Sequence, residues 1–296
     1  MITDVLLKEC RLEFEEYFQS LIIDSPEHKH KAEEIRAHSL RVAANSLMLA
    51  KALSQTEEDQ RIAEVSALFH DLGEVSMIVQ GTESPMNIQR DHASVSAKLI
   101  QQMDFYSKLT ADIQLIILKT IDGHNKLKLP KLDNEQQTLF ARLLRDADKL
   151  DIYESSYRFF KERLGVQPIM TFDLINSTEV SEKIIKSIIA GKTAAVEDMK
   201  TMNDYKLFLL SMAFDLNFKY TFRIMSEKQY IQKIYETLPK RDQIIDVYRN
   251  IKLYVENKFV SWNIKIIIKY CQCTMTAIQI LREFPKAQNS NSFLKK

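Results

Sequence analysis

The chain has 296 residues, 45% of them hydrophobic, enough to bury the core of one large or two modest domains. Forty-one Lys and Arg against forty Asp and Glu leave it near neutral, so its net charge disfavours nucleic acid or an anionic membrane surface as partner. Five glycines are too few for a protein built from tight β-hairpins, and the composition points to an all-α fold.

The first predicted helix covers about 3–22, with Val5, Leu6, Leu12, Tyr17 and Leu21 among its apolar positions. Its acidic, amphipathic character lacks the basic start and apolar run of a secretory signal. Asp24, Ser25 and Pro26 end it, and further helices are expected at about 32–53, 57–72, 91–103, 109–124 and 135–160, with Asp91 and Thr110 as N-caps. The segment 73–90 holds two Gly and one Pro and reads as a long loop of the kind that carries function. Three of the five glycines, Gly73, Gly81 and Gly123, fall between 73 and 123, a hint of special backbone geometry there.

Beyond Gly165 and Pro168 a second helical region is expected, with segments near 179–190, 194–217, 227–237, 240–258 and 260–283 and a polar tail from Pro285. The apolar run 259–270 is broken by Lys265 and Lys269 and is too short to cross a membrane. Gly191-Lys192-Thr193 resembles the end of a phosphate-binding loop, but Lys186 stands where its first glycine belongs, so it reads as a helix break. Three cysteines, with Cys271 and Cys273 too close for a metal or redox pair, suggest free thiols in a reducing cytoplasm.

The chemistry concentrates on four of the six histidines, His28 and His30 reading as solvent-facing. His38, His70, His92 and His124 each continue an apolar helical stripe, and Asp148 extends the stripe Phe140, Leu144. A buried carboxylate costs several kcal/mol unless paired or metal-bound. Asp71 and Asp148 would both point inward with no Lys or Arg on the same stripes. A divalent cation resolves this, and mixed nitrogen and oxygen donors suit Mn, Fe, Co, Ni or Zn, with Mg also allowed.

The ordered segments HSLRVA (38–43), ALFHDLGE (67–74), DHASVSAKLI (91–100), GHNK (123–126) and RDADKLD (145–151) resemble the HD superfamily of metal-dependent phosphohydrolases over roughly residues 30–155. The likeness is greatest to bacterial HD hydrolases with DHA, HN and RDADKLD segments. It implies an HD-domain helical bundle over 26–165, on which the N-terminal helix (1–25) is expected to pack. The additional C-terminal helices (166–296) carry no chemical motif, but segments such as 205–222 are too apolar to be solvated alone and are expected to pack on the core, close the cleft or build a homodimer interface. The resemblance further implies that His38, His70, Asp71 and Asp148 hold one metal. His92 and His124 match the histidines that binuclear members use for a second ion, with Asp71 bridging, whereas single-metal members can use them to contact phosphate.

The expected reaction is attack of metal-activated water on a phosphomonoester or phosphodiester of a nucleotide or related small metabolite. Glu74 resembles the glutamate at the same offset in the HD nucleotidases and is the candidate general acid, although the nearer relatives more often carry Arg. Lys149 beside Asp148 is a second candidate for the reacting centre. Arg41, Asn125 and Lys126 are candidate substrate contacts, Arg41 and Lys149 read equally as structural ion-pair partners, and Asp146 and Asp151 are candidates either to orient ligands or to cap and pair locally. A nucleotide-sensing module without turnover and an HD-type nuclease are the alternatives.

Overall fold

The computed structural model describes residues 1–81, 91–162 and 174–271, with side chains to 259. Helix α1 (Asp4–Asp24) opens on Thr3, whose hydroxyl accepts from the Leu6 N–H. It is followed by α2 (Lys29–Ala52), α3 (Glu57–Leu68), α4 (Leu72–Val79), α5 (His92–Ile100), the single turn α6 (Asp104–Ser107), α7 (Ala111–Asp122) and α8 (Glu135–Tyr157). Then come α9 (Glu182–Ile189), α10 (Met202–Ser211), α11 (Lys219–Glu227), α12 (Tyr230–Tyr235) and α13 (Asp242–Cys271). The fold is all-α. Among the described residues the one β-type pairing is the bridge between Ile175 and Thr201. None of the described helices is long and apolar enough to cross a membrane.

Local chemistry sets the helix starts. Thr56, Asp91 and Asn134 each accept from the N–H three residues on, and Thr201 and Asp204 form a reciprocal capping box. Thr110 stands at the N-cap of α7, but its side chain makes no capping bond.

Helix α2 packs on both α3 and α8, α4 on α5, and α7 on α5 and α8. Helix α1 covers this group with Leu6, Leu7, Cys10, Phe14 and Phe18. Of the apolar positions expected from sequence, Leu6 is buried and Tyr17 and Leu21 pack against the core, whereas Val5 and Leu12 are exposed. Four rings, Phe14, Phe18, Phe69 and Phe105, pack in a chain with centroids 4.8 to 5.8 Å apart and join α1 to the segment that precedes His70.

Several boundaries differ from expectation. The expected loop at 73–90 begins instead with α4, because Leu72, Val75, Met77 and Ile78 are buried. Gly73 is a spacer there rather than a breaker: a Cβ on it would lie 2.2 Å from the His92 carbonyl oxygen and 2.7 Å from the Ser96 nitrogen. The stretch 219–235 forms two helices because Gln229 takes a left-handed φ of 56° between them. Helix α13 runs unbroken where two helices were expected, and 194–201 is non-helical apart from a short 3-10 turn, Val196–Asp198. Gly191 does end α9, with φ at +70°. Residues 82–90, Gly165, Pro168, Cys273, the remainder of the expected 260–283 helix and the tail lie outside the described residues.

The hydrophobic core continues without interruption from Ile2 into the C-terminal helices, ending at Val255. Of the 205–222 segment, Tyr205, Leu207–Leu210 and Phe222 are buried. Two polar joints accompany this packing. The Tyr153 hydroxyl donates to the Leu209 carbonyl at 2.9 Å. Buried Asp146 accepts from Asn217 N, Asn217 Nδ2, Phe218 N and Thr221 Oγ1, capping α11 from α8.

Candidate metal centre

Six residues meet at one point, and most arrive from helix ends rather than helix faces. His38 lies within α2 and Asp148 within α8, as their stripes predict. His70 and Asp71 occupy the turn between α3 and α4, His92 is the first residue of α5, and His124 follows the end of α7. A helix end frees a side chain from its own cylinder and can bring donors from four directions to one place.

The Asp71 carboxylate stands at the centre with its two oxygens facing different neighbours. Oδ2 lies 3.4 Å from His38 Nε2 and 3.2 Å from His70 Nε2. Oδ1 lies 3.5 Å from His92 Nε2 and 3.2 Å from His124 Nε2. Asp148 Oδ1 completes the first group, at 3.2 Å from His38 Nε2 and 3.9 Å from His70 Nε2. The two clusters that could hold a metal are thus His38–His70–Asp71 and Asp71–His92–His124.

These spacings fit a cation. Two donors each ~2.1 Å from one ion stand ~3.0 Å apart at a right angle and ~3.4 Å apart at the tetrahedral angle. Moreover, His70 Nε2 and Asp71 Oδ1 are fully buried without a hydrogen-bond partner, a cost that proteins rarely tolerate. His92 Nε2 and His124 Nε2 stand 3.0 Å apart, a hydrogen bond that a shared ion would replace. His70 Nε2 and Asp71 Oδ1 instead lie close to neighbouring donor atoms without such a bond, the arrangement expected when donors share a third centre.

The outer contacts select the free nitrogen on three rings. His38 Nδ1 lies 2.7 Å from Asp151 Oδ2, while His70 Nδ1 and His124 Nδ1 lie 2.7 Å from the carbonyls of Ala67 and Ile121. Each Nδ1 donates its proton outward, which leaves Nε2 as a lone pair for metal. Asp151 is itself held by Arg41 through Nε at 2.6 Å and Nη2 at 3.0 Å. Asn125 Nδ2 lies 3.5 Å from His92 Nδ1.

Not every sequence-predicted residue comes to the cluster. The Lys149 ammonium is bound to Asp215 at 2.7 Å and to the Arg145 carbonyl at 3.3 Å. Lys126 pairs with Asp91, the N-cap of α5, and Ser94 Oγ lies 2.6 Å from both Asp91 and Asp122. Asp146 caps α11 instead of orienting a ligand. Glu74 is half-buried in the first turn of α4. Arg145 and Asp215 were missed. The first is visible within RDADKLD, but the second carries no local signal.

A family model for the HD domain matches residues 35–153, and all six residues fall inside it. This stretch belongs to the HD superfamily. The HD domain spans less than half the chain, and the family is in general one of metal-dependent phosphohydrolases. No curated protein and no solved structure matches the chain.

Protonation divides the HD site into two. Burial disfavours charge on His38, but Asp148, Asp151 and Asp71 outweigh it and raise the ring well above the usual histidine range. His70 is raised in the same way, chiefly by Asp71 against burial. Burial also works against Asp148, yet His38 holds it down at about 2, and Asp71 is held well below the carboxylate range by His70, His124 and His38. His92, by contrast, is pushed down to about 4 by burial and is neutral at pH 7.

A proton held on His38 therefore competes with a cation at this half of the centre. Uptake at pH 7 is expected to release a proton from His38 and none from His92. Affinity at that half should strengthen by up to ~tenfold per pH unit for each proton displaced, and weaken as pH falls. Calorimetric titration in buffers of different ionisation enthalpy measures this; uptake without proton release at pH 7 would contradict it.

Proposed function

We propose that this protein hydrolyses a phosphoester of a nucleotide or related small phosphorylated metabolite, using one or two divalent transition-metal ions. The observation that carries the reading is the division of Asp71, whose oxygens face two separate histidine pairs. Four imidazole nitrogens and two carboxylates, with no thiolate, suit Mn, Fe, Co, Ni or Zn. When bound, such an ion supplies water of lowered pKa and offsets charge on the phosphoryl oxygens.

The chain's own groups do the rest. His70, Asp71 and His124 form the closed floor, while His38 at 19% exposure, Asp148 at 14% and His92 at 27% make the rim through which substrate reaches the centre. Asp151 orients His38, and Arg41 stands beside them with a half-exposed guanidinium. Its Nε and Nη2 are committed to Asp151, which leaves Nη1 as the donor for a substrate phosphate. Asn125 beside His92 offers a neutral contact on the opposite side. Glu74, in the first turn after Asp71, is the proposed proton donor to the leaving oxygen.

The test is a panel of generic phosphomonoesters and phosphodiesters plus nucleotides, assayed with each of these metals. Turnover that disappears on chelation and returns with metal is the expected result. Metal uptake and nucleotide binding without turnover of any panel member would replace this reading with that of a sensing module. Salt-sensitive cleavage of nucleic acid would replace it with that of a nuclease.

A further inference from the structure

His124 lies in a turn that neither a helix nor a strand holds. Three carbonyls of this turn, those of Gly123, His124 and Lys126, converge on one nitrogen, Arg145 Nη1, at 2.9, 2.8 and 2.7 Å. Arg145 extends from α8 and is 3% exposed. A buried guanidinium that grips only neutral carbonyls needs a counter-charge. Asp215 provides it, with Oδ2 at 3.0 Å from Nε and 2.5 Å from Nη2. Asp215 ends the 3-10 turn Met212–Asp215, in the region beyond the HD match. The same carboxylate also serves Lys149, so one acid balances two buried cations.

We propose that Arg145 is the positioning residue for His124, and that Asp215, supplied from outside the HD domain, holds Arg145 in its grip. The C-terminal region thereby governs the His92–His124 half of the centre, while the His38–His70–Asp148 half stands independently of it. The proposal deepens the metal reading above and rests on it for the consequence at the ion, although not for the hold on the turn.

The experiment compares Asp215→Asn, Arg145→Lys and Lys149→Met with the full-length wild type. Two quantities are measured: amide hydrogen exchange of 121–128 in metal-free protein, and Co²⁺ binding followed by visible absorption. Asp215→Asn should speed exchange in the turn by about tenfold or more through local opening, with α2 unchanged. It should also weaken the second Co²⁺ equivalent by ~10–100-fold while sparing the first. Arg145→Lys keeps a charge beside Asp215 but cannot span both acid and carbonyls, so it should loosen the turn in a folded protein. Lys149→Met leaves the Arg145–Asp215 pair in place and should not alter exchange in the turn.

Wild-type exchange in the turn of Asp215→Asn overturns the proposal. If that variant does not fold, wild-type exchange in Arg145→Lys overturns it instead. A wild type that takes up a single Co²⁺ refutes the two-ion reading separately, and the exchange data still decide the proposal.

Discussion

Asp71→Asn should abolish metal binding at both halves of the centre and reduce phosphoester hydrolysis to the level of chelated protein. The substitution keeps the shape of the side chain and removes the one negative charge that both histidine pairs face. Loss of an outer partner of a ligand costs ~10–100-fold in affinity, so removal of the shared carboxylate should exceed ~100-fold for each ion. Asn leaves a carboxamide that can still accept hydrogen bonds, and the fold should persist. The wild type should gain thermal stability with added metal, by about 2.7 kcal/mol when free metal reaches ~100 times Kd, and the variant should gain none. Metal content after dialysis and a thermal scan with and without metal check this together. Wild-type metal content in Asp71→Asn, or in His70→Ala combined with Asp71→Ala, would remove the basis for the proposed chemistry.

Gly73→Ala should damage stability and site together. The added Cβ would meet the His92 carbonyl oxygen at 2.2 Å and the Ser96 nitrogen at 2.7 Å, both backbone atoms of the first turns of α5. A flexible side chain could swing aside, but a helix cannot, so α4 and α5 must separate. Overpacking ordinarily costs about 1–3 kcal/mol, and a clash against backbone should reach about 3 kcal/mol or more. Separation would also lengthen the Gly73 N–H to Ser96 Oγ hydrogen bond, now 2.8 Å.

Because the clash falls on His92 itself, its imidazole should leave Asp71 Oδ1 first. Displacement by ~1 Å is enough for ~10²-fold loss of rate in a positioned site. Urea unfolding gives the stability change, and metal titration should show the His92–His124 half weakened before the His38 half. Equal stability with both halves unaffected would show that α5 can move away at no cost.

The two variants differ in how legible their cause is. Asp71 stands out in sequence because a carboxylate beside a histidine at the end of the stripe Ala63, Ala67, His70 has no apolar purpose. Gly73 reads as the start of a loop, since a glycine after a helix usually ends one. Its role as spacer depends on what lies opposite, and α5 comes after residues 82–90. The same limit explains α1, where both Leu6 and Val5 fit a helical period and the choice between faces rests on Phe69 and Phe105. Likewise, nothing local marks Gln229 as left-handed, and the sequence reading placed one segment at 227–237 and none over 219–226, where α11 runs.

What the amino-acid sequence determined by itself was helical character and the set of candidate donor residues. Capping residues, scarce glycine and polar groups on apolar stripes are local properties, and they single out His38, His70, Asp71, His92, His124 and Asp148 before any packing is known. Tertiary structure decided how those donors divide. The packing of α2, the α3–α4 turn, the start of α5 and the end of α7 sets which oxygen of Asp71 each histidine faces, and that depends on contacts between distant segments. It also sent Lys149 and Arg145 to Asp215 in the C-terminal region. Buried charges pair with whatever opposite charge the fold brings within reach, and separation along the chain does not reveal which that will be.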